Sequence, residues 1–163
     1  LQQTLAWIAS GAPLFRLQKP AIPPQHLVAY FVLFDAPQNK LLLVDHKNAG
    51  LWLPSGGHVE TDEPPSATVI REAREELGLD AHFLWKKPLF LTVTETVGDA
   101  TRHTDVSLWY VLQGDCTAPL AYDPTEFHGI DWFPLDALPL TRSDPHLARF
   151  VAKLRTQGTE QRV

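Results

Sequence analysis

The sequence is short of cysteine, of basic charge and of long apolar runs, and each shortage removes a class of function. Cys116 is the single cysteine in 163 residues, so neither an internal disulfide nor a cysteine-based metal cluster can form. That usage suits a reducing compartment, and a cytoplasmic location is the expectation. Lys and Arg number 14 against 19 Asp and Glu, for a net charge of −5. This balance is the wrong sign for gripping duplex nucleic acid or an anionic membrane surface. No stretch approaches the roughly 18 apolar residues of a membrane span. Residues 1–11 lack both a basic region and a long apolar core, so no secretory leader is expected. Repeats and low-complexity segments are absent too.

What is present is an ordinary globular composition, 44% hydrophobic and 20% charged, long enough for one domain over residues 1–163 with its own core. Residues 1–12 pattern as a short helix, with Leu1, Leu5 and Ile8 on one stripe. Pro13, Pro20, Pro23 and Pro24 make the rest of 1–25 an extended arm. Such an arm can cover its own fold or reach a second subunit, so the chain is expected as a monomer or a homodimer. Residues 26–34 are almost continuously apolar, which predicts a strand buried on both faces. Shorter strands are expected at 41–44 and 51–53, followed by a chain break at 54–57. A helix is predicted over 64–77, capped by Thr61 or Asp62, with prolines in its first turn and Gly78 ending it in a left-handed conformation. Strands at 89–97, 106–112 and 130–133 follow, the first two joined by a loop at 98–103. A last helix is expected over 144–157, with Leu147, Phe150, Val151 and Leu154 on its stripe. Strand-rich halves around one marked helix indicate an α/β (α+β) sandwich.

The chemistry concentrates in GHVETDEPPSATVIREAREELGL, residues 57–79. On a helix, Glu72, Glu75 and Glu76 fall on one face at spacings of three and four, with Ser66, Ile70, Ala73 and Leu77 roughly opposite. Like charges so spaced repel, and a divalent cation among them relieves the repulsion. Hard oxygen ligands of this kind suit Mg²⁺ or Mn²⁺. Arg71 stands four residues before Glu75 and can pair with it, the Gly56–Gly57 backbone can run close to the same place and offer a carbonyl ligand, and Glu63 can support the site from the preceding loop.

Gly57, Glu63, Arg71-Glu72, the apolar Ala73, Glu75-Glu76, Gly78 and Leu79 match the Nudix box at every fixed position, with Ala73 smaller than the commoner Ile, Leu or Val. The flanking HLVAYFVLF, KLLLVDH and LWLPSGGHVE, and WFPLDALP at 132–139, also resemble that family. The resemblance implies a mixed sheet sandwiched between helices. It also implies Mg²⁺- or Mn²⁺-dependent hydrolysis of a phosphoanhydride bond in a nucleoside diphosphate linked to another group, a small-molecule nucleotide-type substrate. Carried over, Glu72, Glu75 and Glu76 become metal-binding carboxylates, with the Gly56 carbonyl a further ligand and Arg71, Gly57 and Glu63 in support. A later carboxylate, Glu126 first and Glu95 second, becomes a ligand or general base, and the base is expected to be either Glu126 or one of Glu72, Glu75 and Glu76. The marks of the ADP-ribose and dinucleoside-polyphosphate subclasses are not met at residues 94–97, so the substrate stays open.

Other residues weigh less. His58 reads as a loop residue at a rim, His103 and Asp105 as the polar edge of a half-buried strand, and Trp85, Phe90, Trp109 and Tyr110 as core before base-stacking. Lys47, Lys86, Lys87 and Arg102 are unranked phosphate partners. Two alternatives to the hydrolase are a non-catalytic nucleotide-binding domain, disfavoured because the box carboxylates are all kept, and an isoprenoid-diphosphate isomerase of the same fold, which would want an active-site cysteine.

Overall fold

The computed structural model describes residues 1–18, 22–96 and 102–160. Pro20 of the arm, Val97 of the predicted strand and residues 98–101 of the predicted loop lie outside the described residues. The organising element is β1 (Gln25–Asp35), the expected apolar run. It pairs in parallel with β6 (Thr104–Gln113) over ten positions, and β6 pairs antiparallel with β5 (Phe90–Glu95). Along its other edge β1 meets β4 (Ser55–His58) at residues 28–31 and β2 (Lys40–His46) at its end, both antiparallel. β3 (Leu51–Leu53) and β7 (Phe127–Pro134) both pair with β2, completing one mixed seven-stranded sheet.

The period of two along each strand then builds two apolar layers. Leu27, Ala29, Phe31 and Leu33 of β1 join Leu42, Val44, Val106 and Tyr110 under Val69, Ala73 and Leu77 of α2 (Pro65–Leu77). Val32 joins Leu41, Leu43, Trp109 and Val111 on the opposite face, under Leu147, Phe150, Val151 and Leu154 of α3 (Leu147–Glu160). The sheet is therefore sandwiched between helices, and β1 is buried on both faces as its composition predicts. Phe150 is fully buried, with its ring centroid 5.0 Å from that of Trp109. Phe150→Ala is expected to cost about 3–5 kcal/mol, the usual range for an aromatic cavity. A urea titration would show the lowered midpoint, and an undiminished midpoint would mean that the α3 layer contributes little.

The amino-terminal segment covers the chain's own fold. Leu14, Phe15 and Trp7 pack on the α2-side layer, and the Leu27 N–H donates to the Leu14 carbonyl at 2.8 Å. In α1 (Gln2–Ala9) the predicted stripe of Leu1, Leu5 and Ile8 is exposed, and Trp7 makes the contact instead.

Four local expectations need correction. Residues 55–58 are a strand rather than a break, because β1 offers them an edge to pair with. Neither Thr61 nor Asp62 caps α2: Pro64 stands at the cap, Pro65 has no N–H to satisfy, and the Ala67 N–H bonds the Pro64 carbonyl at 2.8 Å. The packing face of α2 is centred on Val69, Ala73 and Leu77, so Ile70 is exposed while Thr68 and Glu76 are buried. α3 begins three residues later than predicted, because Asp144 accepts from the His146 N–H at 2.7 Å and the Leu147 N–H at 3.0 Å and so serves as its lead-in. Gly78 ends α2 with φ +62° as expected, and the Leu79 N–H closes back on the Ala73 carbonyl at 3.1 Å.

Candidate functional site

The carboxylates of α2 differ sharply in their surroundings. Glu75 is exposed, Glu72 is half-buried and Glu76 is buried. One oxygen of Glu76 accepts from the Ser55 hydroxyl and from the Gly56 N–H, the latter at 3.0 Å. Burial pushes the Glu76 carboxyl up to about 8, and the negative charges of Glu72 and Glu126 add to the rise against the pull of the Ser55 and Gly56 hydrogen bonds. Burial also raises Glu72, where Arg71 pulls the other way.

Two glycines allow this arrangement. Gly56 has φ +137°, and a Cβ there would lie 2.2 Å from the Ala29 carbonyl oxygen, so only glycine lets β4 lie against β1 with its N–H aimed at Glu76. At Gly57 a Cβ would fall 2.0 Å from Glu72 Oε1, in the space the carboxylate occupies.

Arg71 holds the cluster together. Its Nη1 donates to Glu72 Oε1 at 2.6 Å and to Glu75 Oε2 at 3.4 Å, and its Nη2 donates to Glu63 Oε2 at 3.2 Å and to the His58 carbonyl at 3.3 Å. Glu63 also accepts from the Thr68 hydroxyl at 2.7 Å and the Glu60 N–H at 3.2 Å. Burial works to raise Glu63, but the hydrogen bonds from Arg71, Thr68 and Glu60 outweigh it and hold the carboxyl below its ordinary value. The same carboxylates keep the guanidinium fully charged despite its partial burial. The spacing suggested only the Arg71–Glu75 pair; the fold makes that the long contact and adds Glu72 and Glu63.

Glu126 reaches the cluster from another part of the chain. The Asp123 N–H donates to the Glu76 carbonyl at 2.8 Å, tying the loop before β7 to the end of α2, and the Lys47 N–H donates to the Glu126 carbonyl at 2.9 Å. Glu126 is exposed, and its charge is felt by Glu72, Glu76 and His46. Glu95 is exposed on β5 opposite Thr104, and among the described residues no contact links it to the cluster. Lys47 stands beside this loop and donates from Nζ to the Pro124 carbonyl. Lys86 and Lys87 line a cleft with Lys153 of α3, on the other face of the sheet. Trp109 is buried and donates to Thr92 Oγ1 at 2.9 Å, a core role. Cys116 donates its N–H to Asp35 Oδ2 at 2.9 Å, at the β1–β2 turn and not among the carboxylates, which removes the feature an isomerase would need. His58, His103 and Asp105 gather around buried His26 in a second cluster.

Glu72, Glu75 and Glu76 present hard oxygen donors on α2, and the charge of Glu126 reaches Glu72 and Glu76, adding to the rise that burial causes in both. That donor set fits a small divalent cation such as Mg²⁺ or Mn²⁺.

The family model described as NUDIX domain matches residues 24–154. Among solved structures, the chain is similar to a MutT NUDIX hydrolase from Burkholderia pseudomallei at 21% identity, covering 79% of this chain and 97% of that one, with a TM-score of 0.61. It is similar to the MutT protein from Methanosarcina mazei Go1 at 18% identity, covering 83% and 96%, with a TM-score of 0.66. A third likeness is to the dihydroneopterin triphosphate pyrophosphohydrolase of E. coli, at 14% identity, 85% and 94% coverage and a TM-score of 0.60. Comparison with curated proteins gives no match. At these identities the solved structures speak to the fold alone.

Proposed function

Since the chain belongs to the Nudix hydrolase family, we propose that it hydrolyses a phosphoanhydride bond in a nucleoside diphosphate linked to another group, a nucleoside triphosphate or nucleotide derivative, with Mg²⁺ or Mn²⁺. One observation carries this reading: a buried Glu76, held by Ser55 and Gly56, sits within the field of Glu72 and Glu126. Glu72, Glu75, Glu76 and Glu126, with the Gly56 carbonyl, are the residues that would hold the cation. Bound there, the ion supplies positive charge against the anhydride oxygens and acidifies water.

The chain's own groups do the positioning. Arg71 orients Glu72, and Glu63 orients Arg71. Ser55 and Gly56 fix one oxygen of Glu76. Glu72 and Glu76 are tied up in hydrogen bonds and Glu75 is paired with Arg71, whereas Glu126 is exposed, so Glu126 is the carboxylate best able to take the proton of the attacking water. One structural neighbour is named for a pyrophosphohydrolase of dihydroneopterin triphosphate, which is compatible with a triphosphate here. The lone Cys116, free of any disulfide, fits a cytoplasmic setting.

Gly57→Ala tests the positioning argument. The methyl group displaces the Glu72 carboxylate from its place beside Arg71, and misplacement of about 1 Å at such a site costs roughly 100-fold in kcat. Steady-state kinetics on the folded variant gives the answer, and unchanged kcat would remove Glu72 from the machinery. The reading as a whole is tested by a phosphate-release screen with Mg²⁺ or Mn²⁺ over nucleoside triphosphates, nucleotide sugars, ADP-ribose and dinucleoside polyphosphates. Turnover of one class, abolished by Glu76→Gln, is the expected result. Silence across the panel, with tight nucleotide binding by calorimetry, would turn the assignment to a nucleotide-binding regulatory domain.

A further inference from the structure

The second cluster lies where three strands converge. The parallel register sets His26 of β1 beside Asp105 of β6, and the antiparallel register sets Val28 beside His58 of β4. Strand alternation puts the side chains of His26, Asp105 and His58 on the face opposite α2. His103 precedes β6 and stacks on His26, with centroids 4.9 Å apart and planes inclined by 27°. The His58 ring lies 4.8 Å from that of His26. One ligand atom from each of the four residues falls within 4.8 Å of every other.

The hydrogen bonds around the cluster decide which atoms face inward. His26 is fully buried, and its Nδ1 contacts the Pro23 carbonyl at 2.9 Å. A carbonyl only accepts, so Nδ1 carries the proton and Nε2 of the neutral ring presents a lone pair. That Nε2 lies 3.4 Å from Asp105 Oδ1, also an acceptor, and both atoms are buried without a hydrogen-bond partner among the described residues. His103 joins the same arrangement. Its Nδ1 lies 3.2 Å from Thr96 Oγ1, a hydroxyl that also accepts from the His103 N–H at 3.3 Å. The His103 Nε2 lies 3.3 Å from the same Asp105 Oδ1. Lone pairs converging in a buried space repel unless a proton or a cation lies between them. Protonating the imidazoles would set a cationic ring against its stacked neighbour and near Arg16, which donates to His58 Nε2 at 3.2 Å.

We propose that His26, His58, His103 and Asp105 form a binding site for one divalent cation of the late first row, with Zn²⁺ as the type ion, separate from the carboxylate cluster on α2. Imidazole and carboxylate together favour such an ion over Mg²⁺. With metal–ligand bonds of about 2.0–2.1 Å, the edge of a tetrahedral site is roughly 3.3 Å. The His26–Asp105 and His103–Asp105 separations, 3.4 and 3.3 Å, are already that long. The Pro23 carbonyl supplies the outer hydrogen bond that fixes the His26 tautomer, and the Thr96 hydroxyl holds the His103 ring at Nδ1. Arg16 competes with the ion for the His58 ring. The ion staples β1, β4 and β6 at one end of the sheet, and through the His58 carbonyl it steadies the Arg71 contact. This assignment does not depend on the hydrolase reading, since none of the four residues belongs to the box carboxylates.

The test uses the full chain stripped with EDTA and titrated with ZnCl₂ by calorimetry in excess Mg²⁺, alongside Co²⁺ absorption spectroscopy. The expected result is one equivalent of tightly bound Zn²⁺, visible d–d bands of a four-coordinate Co²⁺ complex, and a raised melting temperature. Loss of His26 risks misfolding, so His103→Ala and Asp105→Asn serve as the variants. Each is expected to weaken Zn²⁺ by more than the roughly 10–100-fold that follows loss of an outer-shell group, while Glu75→Gln/Glu76→Gln binds it normally. No Zn²⁺ uptake by the unaltered chain would overturn the proposal. So would uptake that both variants keep, or uptake that Glu75→Gln/Glu76→Gln removes. Because the readout is binding and spectra, a failed hydrolase screen leaves the result interpretable.

Discussion

Glu76→Gln is expected to reduce hydrolysis by roughly 10²–10³-fold, the scale of losing one fixed group that stabilises developing charge, and at the same time to make the metal-free protein more stable at pH 8. The two effects share one cause. Glu76 is buried beside Glu72 and Glu126, and burial lifts its carboxyl from 4.5 to about 8. Between those values the folded chain keeps a proton that the unfolded chain releases, so stability falls as pH rises through the window. A tenfold change in proton affinity is worth about 1.4 kcal/mol, so the loss across the window amounts to several kcal/mol at most. Glu72 and Asp144, also raised mainly by burial, act in the same direction. Glu63 and Asp35, held down by hydrogen bonds that outweigh their burial, lose their contribution only in more acidic solution. Gln keeps an oxygen to accept from Ser55 and Gly56 but carries no charge. Melting temperatures in EDTA from pH 5 to 8 should therefore fall steeply for the unaltered chain and much less for the variant. Parallel slopes would show that Glu76 ionises normally in the folded chain, against the burial that sets its place in the site.

Gly56→Ala is expected to be the most destabilising single change in this region, by about 3 kcal/mol or more, from backbone strain added to a main-chain clash. A Cβ would lie 2.2 Å from the Ala29 carbonyl oxygen and 2.9 Å from Tyr30 Cα, and φ is +137°. Neither obstacle is the end of a flexible side chain, so β4 has to leave β1 and takes the Gly56 N–H away from Glu76. Gly50→Ala is the matched control. Gly50 also has positive φ, +63°, but nothing lies within 4 Å of its added Cβ, so it should cost only about 1–2 kcal/mol. Chemical denaturation of both variants separates conformational strain from the clash. Equal losses would mean that the close approach of β4 to β1 is not what Gly56 serves.

The amino-acid sequence by itself determined the family, the sheet between helices and the box residues, for two physical reasons. Periodicity is a local property: the apolar run of 26–34 and the stripe Leu147, Phe150, Val151 and Leu154 state their own burial wherever the chain goes. A helix also turns linear spacing into a shared face, which is why Arg71, Glu72, Glu75 and Glu76 stand together as their intervals require. Only the tertiary structure decided the rest. That Glu76 is buried and Glu75 exposed depends on the Val69–Ala73–Leu77 face docking on the sheet. That the charge of Glu126 is felt by Glu72 and Glu76 goes with the Asp123–Glu76 backbone bond, which ties its loop to the end of α2. His26 was unreadable as a site residue, because its partners are 32, 77 and 79 positions away in the chain. The parallel β1–β6 and antiparallel β1–β4 registers bring them together. Spacing along a chain encodes neighbours only within one helix or strand, and pairing between strands, set by how the whole sheet buries its two faces, makes the others.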